Sequence, residues 1–183
     1  DFCLSRGLGD VYKRQEDLNQ LLKGVLPQYI SIWVKPLGNP VMAMQCFFQW
    51  ADTRIDSPDS LSGGLLWTPS DLVFDQGESL GIALETLQEL VEMAEPYLQF
   101  KSFSVRTSRY SESGANPIDA VVFGLGELIE ILDQSELEPA TVFNNLLIET
   151  AVGDSHFGEI ARLKSVRALS LIHISEPTRQ AEI

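Results

Sequence analysis

The sequence predicts an α/β fold with parallel strands, and three observations carry the prediction. Short β-branched and aromatic runs alternate with runs of helical period. Each strand-like run is followed by a helix-like one. The chain, 183 residues long and 44% hydrophobic, with mean hydropathy near zero, can close a single core.

Element by element, EDLNQLLKGV places Leu18, Leu21, Leu22 and Val25 at spacings of three and four, one face of a short leading helix. YISIWVKP is the first strand, stopped by Pro36. NPVMAMQCFFQW follows as a helix with Pro40 in its tolerant first turn and apolar residues on most sides. After the polar turn DTRIDSPDS comes LSGGLLWTP, a second short strand.

The clearest helix is ESLGIALETLQELVEMA. Leu80, Ala83, Leu84, Leu87, Val91 and Ala94 form its stripe, Glu85, Gln88, Glu89 and Glu92 face water, and Pro96 ends it. FKSFSVRT alternates as a third strand, with either face eligible for burial. A helix from Pro117 to about Asp133 follows the polar turn RYSESGANP. NNLLIETAVG supplies a fourth strand, and SHFGEIARLKSVRAL a last helix with Phe157, Ile160, Ala161 and Leu163 inward. Four strands each trailed by a helix fit either an open doubly wound sheet or about half of a (βα)8 TIM-type barrel, which needs about 250 residues. In both architectures ligands gather at the carboxyl ends of the strands, which is where RYSESGANP lies.

Neither end of the sequence shares this rhythm. DFCLSRGLGDVYKRQ and SLIHISEPTRQAEI resemble translated sequencing-adapter read-through, so residues 1–15 and 170–183 are expected to be artefactual tails around a fragment spanning 16–169. A net charge of −13 and a pI near 4.4 speak against a nucleic-acid partner, because that affinity rests on Lys and Arg. With only Cys3 and Cys46 there is no disulfide framework or all-cysteine zinc site. No run is long enough to cross a bilayer, no secretory leader opens the chain, and a cytoplasmic location is expected.

Few motifs carry chemistry. DSHFGE begins like the Asp-x-His-x-x-Gly loop that gives corrinoid proteins a cobalt ligand, but Gly158 falls one place early and the downstream glycines are missing. Asp154 or Ser155 as a helix cap, with His156 in the first turn, accounts for it better. GLGEL lies within a helical pattern and lacks the third glycine of a dinucleotide fingerprint, so Gly124 and Gly126 are expected to serve helix packing. Glu85, Glu89, Glu92, Glu127 and Glu130 are expected on solvated outer faces. In RYSESGANP, Arg109, Tyr110, Ser111 and Glu112 offer a cation, a phenol, a hydroxyl and a carboxylate, and Gly114 permits close backbone approach. The same stretch can equally be structural, Ser113 or Asn116 capping a helix that Pro117 begins.

Two stretches together resemble the methylmalonyl-CoA mutases. KSFSVRTSRYSESGANPIDAVVFGLGELIEIL is similar to that family's strand, its Tyr-His-x-x-x-Ala-Gly-Ala-like turn, and its helix of Ala-x-x-x-Gly-x-Glu-Tyr-like spacing. NNLLIETAVGDSHFGEIARLKSVRAL matches a Gly-x-x-x-Phe-x-Glu-Ile-Ala-Lys-x-Arg-like signature through Gly153, Phe157, Glu159, Ile160, Ala161, Arg162 and Lys164. GGLLWTPSDLV resembles the family's Gly-Ser-x-x-Tyr-Asp-Pro-Leu-like strand end. The resemblance implies a partial (βα)8 barrel of about four βα units. In that family the barrel threads an acyl-CoA through its axis, and a separate domain brings adenosylcobalamin for the radical interconversion of methylmalonyl-CoA and succinyl-CoA.

The departures from the family pattern set the expected role. Ser108, Arg109, Tyr110 and Ser111 stand where catalytic chains carry a Tyr-His-x-Gln-like cluster, and Ser111 takes the place of the substrate-contacting glutamine. A short hydroxyl cannot supply the reach or the paired donor and acceptor of an amide. The resemblance therefore implies the small, non-catalytic subunit of a two-chain mutase. Such a subunit binds no cofactor in this segment and pairs as a heterodimer with a large catalytic chain that uses adenosylcobalamin. A catalytic chain of altered substrate range, with Arg109 and Tyr110 recognising the acyl group, is the alternative.

Overall fold

In the computed structural model, residues 16–175 are described. The segment 1–15 and residues 176–183, the greater part of the two expected tails, lie outside them. Helix α1 covers residues 16–21. Strand β1 (Ile32–Val34) leads to α2 (Pro40–Asp52), and β2 (Gly63–Leu65) to α3 (Pro69–Gln76) and α4 (Leu80–Ala94). The third strand runs in two pieces, β3 (Phe100–Lys101) and β4 (Phe103–Arg106), parted by Ser102, and leads to α5 (Ser108–Glu112) and α6 (Pro117–Gln134). Then come α7 (Pro139–Asn145), β5 (Leu146–Glu149) and α8 (His156–Ser175).

Every pairing is parallel: β1 with β2, β2 with β3, and β4 with β5. The amide of Ser104 donates to the Trp67 carbonyl at 2.6 Å, so β4 continues alongside the exit from β2. The strands thus lie side by side in chain order, and the α/β class with parallel strands is as the alternation predicts.

Local chemistry explains the elements. The Asn39 side chain accepts from the Met42 amide at 3.0 Å and Pro40 occupies the first turn, which starts α2. Ser79 caps α4, and Asn116 caps α6 by accepting from the Ile118 and Asp119 amides, each at 3.0 Å. The α4 stripe is buried through Ala83, Leu87, Leu90, Val91 and Ala94, with Leu80 and Leu84 partly covered. Phe103, Ser104 and Val105 are all buried, so both faces of β4 are covered, as parallel strands require. An aromatic cluster joins α2 to the third strand, with Phe48 stacked on Tyr97 at 4.0 Å and Phe47 on Phe100 at 5.5 Å.

Two glycines let the layers approach. Gly63 has φ +141°, and a Cβ there would lie 1.9 Å from the Ile32 carbonyl oxygen, so only glycine allows β2 to close on β1. At Gly124 a Cβ would sit 2.5 Å from Thr107 Cγ2, which brings α6 down onto β4. Gly126, expected to serve the same purpose, faces open space with nothing within 4 Å.

Several expectations are corrected. Short helices α3, α5 and α7 fill connections expected to be turns or strand, and α7 takes Asn144 and Asn145 from the predicted fourth strand. RYSESGANP is not an open turn: its first half is α5, and only Ser113–Asn116 turn, with Gly114 at φ +95°. The inward stripe predicted for the last helix is the largest departure. Phe157 is 86% exposed, and Ile160, Ala161 and Leu163 are also exposed, whereas Glu159 and Val166 are buried. Arg162 is the cause: it binds Glu159 Oε2 at 2.9 Å and Thr150 Oγ1 at 2.8 Å, and also reaches the Ala151 carbonyl, which turns the polar face of α8 towards the loop after β5.

The glycines predict opposite signs. Gly124→Ala gains helix propensity but overpacks Thr107, for a net loss of about 1 kcal/mol. Gly126→Ala, in open space, gains about 0.5–1 kcal/mol. Urea unfolding midpoints at constant slope should separate the two.

Candidate functional site

The carboxyl ends of β2, β4 and β5 deliver their next residues to one place. From β2 the chain enters α3 through Thr68. Asp71 accepts from the Thr68 amide at 3.3 Å, the acidic half of a capping box. From β4 the chain enters α5, with Arg106 as the last strand residue and Arg109 in the helix. Glu149 ends β5; its carbonyl accepts from the Thr107 amide at 2.9 Å and its carboxylate from the Ser108 hydroxyl at 2.9 Å, so it ties α5 to the neighbouring strand.

Asp71 is the hub. Its Oδ1 accepts from Arg106 Nη2 at 2.7 Å and from Arg109 Nη2. Arg109 also meets Asp75 Oδ2 at 3.0 Å and the Ser70 carbonyl at 3.4 Å, and its guanidinium lies 5.6 Å from the centre of the Phe74 ring. The side chains of Arg106, Arg109 and Asp71 are each less than a fifth exposed, so these are charge-assisted bonds in a partly dry setting. Two arginines facing two aspartates cancel, leaving no net positive charge for an incoming anion.

Beside this network the Tyr110 phenol donates to Glu127 Oε1, and its ring lies 5.2 Å from that of Phe123. Burial holds the Glu127 carboxyl above the usual carboxylate range, and the Asp71 charge adds to the shift. The Tyr110 and Ser70 hydroxyls and Arg109 oppose it. Burial, reinforced by Glu127, likewise pushes the Tyr110 phenol upward. Glu127 Oε2 and Arg106 Nε are buried with no hydrogen-bond partner. Behind Glu127 an apolar cavity of about 140 Å³ lies between α3, α4 and α6.

A cleft of about 530 Å³ opens over the network, lined by Phe74, Asp75, Arg106, Arg109, Tyr110, Glu112 and Ser113. Of the four residues singled out in the sequence, Arg109, Tyr110 and Glu112 come together there. Ser111 does not line it; half-buried in α5, it donates its amide to the Thr107 carbonyl at 3.4 Å.

The sequence reading missed Asp71, Asp75, Arg106 and Glu149, and it assigned Glu127 to a solvated face. That assignment is corrected: Glu127 sits one turn from both Phe123 and buried Ile131, on the stripe that faces α5. The signals were there, in the spacing of Thr68 to Asp71 around Pro69 and of Phe123 to Glu127 to Ile131.

His156 stands exposed at the start of α8, its ring edge-on to Phe157 at 5.5 Å. Among the described residues no group of three His, Cys, Asp or Glu side chains could hold a metal ion. No helix among them is long and apolar enough to cross a membrane. No protein-family model matches the sequence, and no curated protein matches it.

Two predictions follow from these contacts. Asp71→Asn leaves the partly buried Arg106 without a counter-charge and Arg109 with Asp75 alone, and should cost about 2–4 kcal/mol in chemical denaturation. Asp75→Asn, at a side chain 62% exposed, should cost below about 0.5 kcal/mol. Glu127 has the opposite sense. A carboxyl whose folded-state value is raised holds its proton more tightly folded than unfolded, so it contributes most below the ordinary glutamate range and costs stability as pH rises through it. Glu127→Gln keeps an acceptor for Tyr110, so it should stabilise the fold at pH 7, a gain that fades as pH falls towards about 4.

Proposed function

We propose that this chain is a sector of a (βα)8 barrel acting as a small-subunit-like, non-catalytic component of a cobalamin-dependent methylmalonyl-CoA mutase, working in the cytoplasm beside a large catalytic chain. Parallel strands in chain order, each trailed by helices, support the barrel sector. The resemblance of the third and fourth βα units to the mutase segments supports the kinship.

One observation carries the non-catalytic role: the polar groups at the strand ends are spent on one another. Arg106 and Arg109 are held by Asp71 and Asp75, and Tyr110 is held by Glu127. Ser111, at the place of the family's glutamine, does not reach the cleft. An acyl carboxylate would have to compete with Asp71 and Asp75 for Arg109, and displacing Asp71 would weaken the fold that positions it. In this role the mouth keeps the barrel's shape while adenosylcobalamin and the radical chemistry belong to the partner.

The test uses the chain alone and co-expressed with the large catalytic chain of a two-chain methylmalonyl-CoA mutase. Alone, with adenosylcobalamin and methylmalonyl-CoA, it should form no succinyl-CoA. Co-expressed, it should co-elute with the large chain and raise that chain's thermal midpoint, and Arg109→Ala should leave kcat and KM of the complex unchanged. Turnover by the chain alone, or a tenfold fall in kcat/KM with Arg109→Ala, assigns it a catalytic role instead. Failure to co-elute removes the subunit role.

A further inference from the structure

The apolar cavity behind Glu127 stands apart from the charged network at the strand ends. Phe74 divides them: it lines both the cavity and the cleft, whereas Arg109, 5.6 Å from the centre of its ring, lines the cleft alone. Every residue that lines the cavity lies between Thr68 and Ile131, so it is built wholly within the described chain. Phe74 is 63% exposed and Glu130 is exposed, so the cavity opens at the surface.

Size and walls limit what fits. The volume is about 140 Å³. An apolar cavity of roughly 150 Å³ holds benzene, so there is room for one six-membered ring. Pro69, Val73, Phe74, Leu80 and Ile131 give that ring apolar walls.

The polar groups on the wall select what the ring carries. The Thr68 and Ser70 hydroxyls lie 3.2 Å apart and bond each other. Two carboxyl groups are left, Glu127 and Glu130, one turn apart on α6, and no basic residue lines the cavity. Glu127 Oε2 is buried with no hydrogen-bond partner, and burial holds this carboxyl above its ordinary range despite the Arg109 charge nearby. A positively charged donor answers both conditions. An anion would meet like charge, and the net charge of −13 adds to that bias.

We propose that this cavity binds a small organic ammonium ion, its ring or equally compact apolar body between α3, α4 and α6 and its N–H donors at the Glu127 and Glu130 carboxyl groups. The site rests on neither the barrel reading nor the mutase kinship. It also draws on none of the arginines that Asp71 and Asp75 hold.

The experiment is a titration of the full chain, alone, at pH 7, followed by the amide resonances in NMR. Benzylamine is the probe, with benzyl alcohol, benzoate and methylammonium as controls. Benzylamine should bind saturably and shift the amides of α3, α6 and the start of α4, with a Kd about tenfold below that of benzyl alcohol, the worth of one charge-assisted bond. Methylammonium, which lacks the ring, and benzoate, which reverses the charge, should not saturate. Combining Glu127→Gln with Glu130→Gln should raise the benzylamine Kd about tenfold and leave that of the alcohol unchanged. Val73→Phe, which puts a ring into the cavity, should abolish the binding of both. Far-ultraviolet circular dichroism reports whether each variant folds. Should the phenylalanine variant unfold, the double variant decides, because glutamine at 127 keeps an acceptor for Tyr110 and Glu130 is exposed. No saturable binding of benzylamine, equal or tighter binding of benzyl alcohol or benzoate, or binding untouched by the double variant overturns the proposal.

Discussion

Asp71 does three things with one carboxylate: it caps α3, holds the last residue of β4 and holds the helix that follows. Oδ2 accepts from the Thr68 amide while Oδ1 takes Arg106 and Arg109. The consequence is geometric. Helix α3 belongs to the β2 connection and α5 to the β4 connection, and nothing in the parallel ladder fixes one connection against the other. A charged knot at the strand ends does, and because its members are mostly shielded from water the pairing is not screened away as a surface salt bridge would be. A further consequence is competition, since an anion entering the cleft would meet cations that Asp71 and Asp75 already hold.

The same economy governs the second pair. Tyr110 and Glu127 bring α5 against α6 through a hydrogen bond flanked by the Phe123 ring and an apolar cavity. Burial biases Glu127 towards its neutral form, in which it can sit among apolar neighbours at little desolvation cost. A catalytic acid would need such a shift and also an open path to a substrate atom. Here one oxygen is occupied by the phenol and the other is buried with no hydrogen-bond partner, beside an apolar cavity.

What the sequence made legible follows the length of each pattern. Helices α4 and α6 carry several turns of unbroken period with side-chain caps, and the strands are bounded by Pro, Gly or polar turns, so their existence and order could be read directly. Helices α3, α5 and α7, eight residues or fewer, are too short to display a period and owe their formation to tertiary partners. The candidate site was legible only in part for a related reason. Arg109, Tyr110 and Glu112 fall in one conspicuous stretch, but their partners Asp71, Asp75 and Glu127 come from elements 17 to 38 residues away in sequence, which no local period connects.

The last helix shows how a polar anchor can outvote an apolar stripe. By period alone Phe157, Ile160 and Leu163 belong inside, and burying them would gain about 1.5–3 kcal/mol each. Turning Arg162 and Glu159 to water would give up the bonds that hold the loop after β5. The anchor therefore sets the rotation of α8, and the stripe is left facing out. The orientation is a compromise that leaves Phe157, Ile160 and Leu163 in water so that the polar anchor stays in place.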